Sequence, residues 1–220
     1  MYIPAHFEAR DIAQIAAFVD QAGAADLVTF DGSRLVSTLL PLIWDRSDGH
    51  GRLLGHVARA NPQWQRTAPG VPALAIFHGP QAYVSPSWYQ STKEHGRTVP
   101  TWNYTIVHMS GPVTFHRDEG WLADVVTRLT ERHEAGRQDR WRVRDAPERF
   151  IAGQLRAIVG VELAVQQIEA KDKLSQNRTP QDRAGVIAAL RREPAAGAHA
   201  VADLMAGREP ELAAGEPVAR

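Results

Sequence analysis

Residues 56–64 bring a histidine, an arginine and a predicted helix start together. A strand that carries His56 and Arg59 runs into Asn61-Pro62, where asparagine suits the N-cap and proline suits the first helical position. Free N–H groups at a helix start and the planar guanidinium of arginine both attract phosphate. The segment therefore predicts a phosphate site. The alternative is that Arg59 forms a surface ion pair and Trp64 packs in the core.

Aromatic and small polar side chains are concentrated in residues 83–89 and 99–104, which hold five of the ten Trp and Tyr residues. Indole and phenol rings can stack on a flat heteroaromatic ligand, while Ser and Asn side chains bind its polar edge. The alternative is a small hydrophobic core beneath a long loop. Residues 171–178 add three cations and three small polar side chains. They suit a phosphate or a ring edge, or else a solvated connection before the last helix.

Common catalytic and metal-binding signatures are absent from the sequence. The motifs G-x-S-x-G, G-x-x-x-x-G-K-[ST], G-x-G-x-x-G and H-E-x-x-H do not occur. Without cysteine the chain has no disulfide framework, thiolate zinc site or iron–sulfur ligand, and none of the nine histidines pairs with another at i, i+4. We therefore predict no metal site, and the sequence identifies no catalytic residue.

Charge and hydropathy narrow the classes of partner. The 25 Lys and Arg residues balance the 25 Asp and Glu residues, so DNA binding would need a local basic patch. The longest nearly unbroken apolar stretch, residues 35–44, falls short of the roughly 20 residues that span a bilayer. The first residues also lack the features of a secretory signal. We therefore expect a cytoplasmic protein with no membrane segment.

The hydrophobic pattern predicts short strands with helices around them. A first helix is predicted from Ile12, and residues 27–30 and 35–40 flank Asp31-Gly32, which is typical of a hairpin turn. Further strands are predicted at 53–57, 73–78, 82–85, 104–110, 113–116 and 159–170, and further helices after Asn61, Asp118, Asp145 and Thr179. The polar residues 90–97 are predicted to form a surface loop.

Strands and helices do not alternate regularly, which favours an antiparallel barrel over a doubly wound sheet. The predicted fold class is mainly β with peripheral α-helices. We expect one domain over residues 1–192. Residues 193–220 are mostly Ala, Gly, Pro, Glu and Arg, with few large apolar side chains, and we expect them to form a frayed tail.

Several of these segments together resemble the PaiB-like family of FMN-binding negative transcriptional regulators. These are flavin split-barrel proteins related to pyridoxamine-phosphate oxidases and flavin reductases. The resemblance covers about residues 1–192 and is carried by the segments MYIPAHF, HVARANPQW, GPQAYVSPSWY, VPTWNY and KLSQNR. It implies an FMN-binding split β-barrel that forms a homodimer, with FMN in the dimer groove and residues of both subunits in contact with one flavin.

The resemblance also implies three groups of FMN-binding residues. The phosphate-side group is Ser37, Thr38, His56, Arg59 and Asn61. The group on the ring or ribityl side is Tyr83, Ser85 and Trp88. The group that completes the site, from this chain or its partner, is Lys173, Ser175, Gln176 and Asn177. One departure is Ala170, where the family usually has glycine.

The function implied by the resemblance is negative regulation of transcription, in which the FMN-bound dimer acts on DNA directly or through a DNA-binding partner. Neutral net charge and the lack of a recognisable helix-turn-helix disfavour strong autonomous DNA binding. An alternative is an FMN-dependent oxidoreductase of the same fold, similar to flavin reductases or oxidases. A third hypothesis is a dimeric scaffold without flavin.

Overall fold

The computed structural model describes residues 1–213, and the side chains of residues 1–210. Its α-helices are α1 (Ile12–Ala22), α2 (Gln63–Arg66), α3 (Gln90–His95), α4 (Glu119–Glu134), α5 (Glu148–Arg156), α6 (Pro180–Leu190) and α7 (Ala196–Ala213). Its strands are β1 (Ala24–Phe30), β2 (Leu35–Asp45), β3 (Arg52–Ala58), β4 (Ala73–Val84), β5 (Thr101–Gly111), β6 (Val113–His116), β7 (Ile158–Ala164) and β8 (Gln167–Lys173).

The eight strands form one antiparallel sheet in the order β6-β7-β3-β2-β1-β4-β5-β8, so the predicted mainly β fold with peripheral helices is confirmed. Contacts divide the chain into two compact units. The larger unit comprises residues 12–77 and 107–168, and the smaller unit comprises residues 1–11, 78–106 and the described residues from 169 onward. One domain over residues 1–192 stays a prediction. Among the described residues, no helix is both long and apolar enough to cross a bilayer.

A tight turn sets the register of the β1–β2 hairpin in the larger unit. The Asp31 carboxylate accepts hydrogen bonds from the two N–H groups that follow Gly32, at 3.0 and 2.9 Å. Gly32 has a φ of +97°, a conformation that glycine adopts without strain. Phe30 therefore pairs with Leu35, and the pairing runs along the whole of β1. The predicted hairpin is confirmed.

Helix α4 covers one face of β2 and β3. The helix begins after Asp118, whose carboxylate accepts a 2.8 Å hydrogen bond from the N–H of Trp121. Val125 packs in a buried cluster with Ile43 of β2 and Leu54 of β3. Because residues that pair directly across a sheet lie on the same face, this packing also identifies the face that carries His56, two residues after Leu54.

Three neighbouring strands align His56, Gly160 and His116 in one row. The indole of Trp121 occupies the space that a side chain at Gly160 would need, since an added Cβ would lie 2.1 Å from the ring. His116 stacks on this indole with ring centroids 4.2 Å apart, and its Nε2 lies 3.0 Å from a carboxylate oxygen of Glu162. Trp121 is therefore held between α4 and the sheet by close contacts.

Helix α7 belongs to the core of the smaller unit. Its residues Val201, Ala202 and Met205 are buried and pack with Val186 and Leu190 of α6. The frayed tail predicted from residue 193 is therefore wrong for α7, because small side chains let two helices approach closely and bury each other. Residues 214–220, the end of the predicted tail, lie outside the described residues.

Three further elements differ from the predictions. Residues 73–84 form one strand that continues through Pro80, because the fixed φ of proline is compatible with extended backbone. Residues 159–170 belong to two strands, β7 and β8. Residues 90–95, predicted to be a loop, form α3. This helix is anchored because the N–H and the hydroxyl of Ser91 each donate a 2.8 Å hydrogen bond to buried Asp182.

Candidate functional site

A compact turn in the larger unit positions the predicted phosphate-side residues. After β3 ends, the N–H of Arg59 donates to the carbonyl of Ala157 (2.8 Å), and the N–H of Asn61 donates to the carbonyl of Ala58 (2.9 Å). The indole N–H of Trp64 donates to the carbonyl of Arg59 at 3.0 Å. These hydrogen bonds fix the backbone position of Arg59, from which its side chain extends.

Asn61 connects this turn to β2. Its amide nitrogen donates to the Thr38 hydroxyl at 3.0 Å, and its amide oxygen accepts the N–H of Gln63 at 3.0 Å. The Asn61 side chain therefore accepts the hydrogen bond of an N–H group at the start of α2, and this N–H group is not available to a ligand. Helix α2 has four residues, so its dipole is small, and anion binding must depend on side chains.

Two buried nitrogens at this turn lack hydrogen-bond partners: Nδ1 of His56 and Nε of Arg59. Burial lowers the pKa of His56, which favours a neutral ring at neutral pH. Buried polar atoms are nearly always paired in folded proteins, and an unpaired one is costly. A phosphate oxygen accepts hydrogen bonds from imidazole and guanidinium donors, so these two residues fit the phosphate of FMN.

Ser37 lies on the other face of β2 from Thr38, as expected from the alternation of side chains along a strand. Its hydroxyl is exposed and donates to the Asp26 carboxylate at 3.4 Å. The structure therefore brings Thr38 into contact with Asn61, while Ser37 lies on the face of the sheet that also carries His56.

The predicted ring-side residues belong to the smaller unit. Tyr83 and Trp102 are 45% and 52% exposed, with ring centroids 6.3 Å apart in an edge-to-face arrangement. Trp88 packs against the core that α6 and α7 share, which agrees with the alternative interpretation of a hydrophobic core. The Ser85 hydroxyl accepts the N–H of Ser87 at 3.3 Å and shapes the turn before Trp88. Of these residues, Tyr83 and Trp102 present exposed ring surface.

Lys173 lies beside this aromatic pair. Its ammonium donates hydrogen bonds to the Thr101 hydroxyl and the Trp102 carbonyl. Burial lowers the pKa of Lys173, and the positive charges of Lys171 and Arg178 lower it further. Lys173 is thus a partly buried cation that binds the backbone of Trp102, and its ammonium lies 5.9 Å from the centroid of the Phe7 ring.

The residues after Lys173 mainly shape their own loop. Ser175 has a φ of +64° and is buried, and its hydroxyl accepts a 2.9 Å hydrogen bond from the amide of Asn103. The Gln176 amide accepts the N–H of Leu174 at 2.7 Å and donates to the carbonyl of Asp172 at 2.5 Å. Asn177 is exposed. The polar groups of Ser175 and Gln176 therefore have partners within the protein.

Lys171 and Trp102 are absent from the predicted FMN-binding groups, although both lie in segments that the sequence analysis singled out. Lys171 is 8% exposed, and its ammonium lies 5.5 Å from the Tyr104 ring centroid and 5.8 Å from that of Tyr2. Lys171 and Lys173 are two residues apart on one strand and so share a face. The spacing of the two lysines and the aromatic segment Trp102-Asn103-Tyr104 are the sequence features that indicate these two residues.

The lowered pKa of Lys173 can be measured directly. We expect the pH dependence of its acetylation by acetic anhydride, followed by mass spectrometry, to have a midpoint below the ordinary lysine value of about 10.4, because burial disfavours the charged amine. The chain has three lysines, and fragment ions of the peptide that carries both Lys171 and Lys173 assign the acetylated position. A blocked lysine amino acid in the same tube calibrates the reagent. A midpoint at or above that of the calibrant would contradict the assignment.

Comparisons with known proteins agree with the fold and with the proposed ligand. Residues 1–167 match a family model described as "Putative FMN-binding domain". "Protease synthase and sporulation protein PAI 2" of Bacillus subtilis is 35% identical, over 93% of this chain and 96% of that protein.

Two solved structures share the fold at 15% identity. The flavocytochrome Anf3 of Azotobacter vinelandii has a TM-score of 0.57, and the match covers 83% of this chain and 78% of the Anf3 chain. An FAD and heme binding protein of Mycobacterium smegmatis has a TM-score of 0.54, and the match covers 76% of this chain and 73% of that protein's chain. At this identity the likeness concerns the fold alone.

Proposed function

Because this chain belongs to the family of FMN-binding domains and its cofactor is FMN, we propose that it is a flavin-dependent negative regulator of transcription that acts as a homodimer in the cytoplasm. The regulatory part of the proposal is supported by the 35% identity to a protein named for protease synthesis and sporulation. Its target is DNA, bound directly or through a DNA-binding partner.

The unpaired nitrogens of His56 and Arg59 are the observation that carries the FMN site. In our proposal these nitrogens bind the FMN phosphate, and Ser37, Thr38 and Asn61 complete the phosphate side of the site. Tyr83, Ser85, Trp88, Lys173, Ser175, Gln176 and Asn177 form the ring and ribityl side, from the same chain or from the partner. When bound, FMN supplies a planar, redox-active ring, so the bound dimer can respond to flavin supply or to redox state.

An exposed apolar stripe on β2 supports the homodimer. Leu35 and Leu39 are 71% and 68% exposed, and they lie with Ser37 and Pro41 on one strand face. A single exposed leucine is ordinary on a protein surface. Two exposed leucines on one face of a regular strand form an apolar patch, and the contact of this patch with water is unfavourable. A second copy of the same strand face covers this patch in a symmetric interface.

Replacement of Leu39 with aspartate tests the dimer. We expect the Leu39→Asp protein to be a folded monomer at micromolar concentration, with the dimer dissociation constant raised by about 100-fold or more, since a carboxylate would be buried at the interface. Val99→Asp, at a 65% exposed position of the smaller unit, is the matched control and should leave the dimer intact. Light scattering measures the mass. A dimeric Leu39→Asp protein would rule out this face.

The regulatory role is tested with DNA from upstream of the protein's own gene. We expect the wild-type protein to retain this DNA more strongly with FMN than without it, either alone or after addition of a cell extract that contains the DNA-binding partner. Because the net charge is zero, direct binding should be weak and should fall steeply as salt rises. Loss of FMN dependence in an Arg59→Ala protein would link regulation to the site. Unchanged transcript levels in a deletion strain would contradict the role.

A second candidate function is flavin-dependent oxidoreduction, and the exposed Tyr83–Trp102 pair beside Lys173 favours it. Exposed ring surface next to a lysine of lowered pKa could bind a planar second substrate and donate a proton. NADH or NADPH oxidation by the FMN-loaded protein tests this function. Turnover that falls in Lys173→Met but not in Lys93→Met would support it, and no oxidation above that of free FMN would exclude it for these reductants.

A further inference from the structure

Trp64 contacts two arginines, one of which, Arg59, belongs to the proposed phosphate site. Its indole N–H donates to the Arg59 carbonyl at 3.0 Å, and the Arg117 guanidinium carbon lies 5.9 Å from the centroid of its rings. The two arginines come from different parts of the chain, the end of β3 and the residue after β6. The edge of the Trp64 ring thus binds the Arg59 backbone, and the Arg117 guanidinium lies near the face of the same ring.

The chemistry of Arg117 suits a second anion. A guanidinium near an aromatic face keeps its N–H donors at the edge, where they can bind phosphate in a bidentate manner. Arg117 is exposed, so a ligand can reach it from solvent. Arg59 differs, because its Nε is buried and unpaired.

We propose that Arg117 binds a second phosphate of the flavin nucleotide, so that this corner accepts the pyrophosphate of FAD as well as the single phosphate of FMN. The inference rests on the proposed FMN site. In it, the phosphate nearer the flavin is bound by His56 and Arg59, and the phosphate that carries the adenosine is bound by Arg117. FAD carries one negative charge on each of its two phosphates, which matches two separate guanidinium groups.

The test uses equilibrium dialysis of the full chain against riboflavin, FMN and FAD, which carry no, one and two phosphates. For wild-type protein we expect FMN and FAD to bind with dissociation constants within about threefold of each other, and riboflavin to bind more weakly. Arg117→Ala should weaken FAD by about fivefold and FMN by less than twofold, as suits an exposed charge pair.

Two further variants separate the role of Arg117 from a general loss of charge. Arg117→Lys keeps the charge but loses the planar fork, so its affinity for FAD should fall between wild type and Arg117→Ala. Arg144→Ala removes an exposed arginine elsewhere in the larger unit and should change neither flavin.

The outcomes distinguish this inference from its premise. Equal weakening of FMN and FAD in Arg117→Ala, or no weakening of either, overturns the second-phosphate role while leaving the FMN site in place. FAD binding more than tenfold weaker than FMN binding in the wild type also overturns it. Failure of the folded wild-type protein to bind any of the three flavins overturns the FMN site and this inference together.

Discussion

Replacement of Arg59 with alanine is expected to weaken FMN binding by about 30- to 100-fold. The variant loses a charge-assisted contact to phosphate, which is typically worth about 2–3 kcal/mol, and each 1.4 kcal/mol is a factor of ten in affinity. The buried and unpaired Nε indicates that this guanidinium is placed for a ligand. Isothermal titration of wild-type and variant protein with FMN measures the effect.

Arg66→Ala is the matched control for this prediction. Arg66 is an exposed arginine at the end of α2, seven residues further along the chain. Its loss changes the net charge equally, so we expect FMN affinity within about twofold of wild type. Because Arg59 also contributes its backbone to the turn, the unfolding temperature of each variant must be measured. Equal affinity of the Arg59 and Arg66 variants for FMN would contradict the phosphate role.

Gly160→Ala is expected to destabilise the protein by about 3 kcal/mol. An added Cβ would lie 2.1 Å from the Trp121 ring, which is itself stacked on His116 and cannot shift without loss of contacts. Urea denaturation measures the change. Gly153→Ala in α5 is the control, since nothing lies within 4 Å of its added Cβ, and there we expect a gain of about 0.5–1 kcal/mol.

A double variant isolates the steric cause. In a Trp121→Leu background the ring is absent, so Gly160→Ala should cost clearly less than in the wild type. If Gly160→Ala costs the same free energy of unfolding in both backgrounds, the destabilisation does not come from contact with Trp121. The packing of the Trp121 ring against Gly160 would then be wrong.

Much of the fold could be predicted because local signals agreed with the tertiary structure. Asp31-Gly32 encodes the β1–β2 turn by itself, and Asp118 and Thr179 mark helix starts through side-chain caps. Helix α7 could not be predicted, because alanine and glycine bury little surface each. Their packing is favourable only where a partner such as α6 lies close, and the local sequence does not contain that information.

The residue types of the candidate site could be predicted from the sequence, but the contacts that each of these residues makes could not. The types and spacing of His56, Arg59 and Asn61 indicated an anion site, and the structure adds that Asn61 uses an N–H of α2, so the unpaired atoms belong to the side chains. The roles of Ser175 and Arg117 depend on contacts with residues more than 50 positions away, Asn103 and Trp64 respectively. No pattern within either segment indicates those contacts.

We propose that this chain binds FMN through the turn that carries His56 and Arg59. The most direct measurement is an FMN titration of the purified full chain by flavin fluorescence, with the mass of the complex determined by light scattering. We predict saturable binding of one FMN per chain on a dimer. A protein that circular dichroism shows to be folded, yet which does not bind FMN at any concentration tested, would contradict the claim.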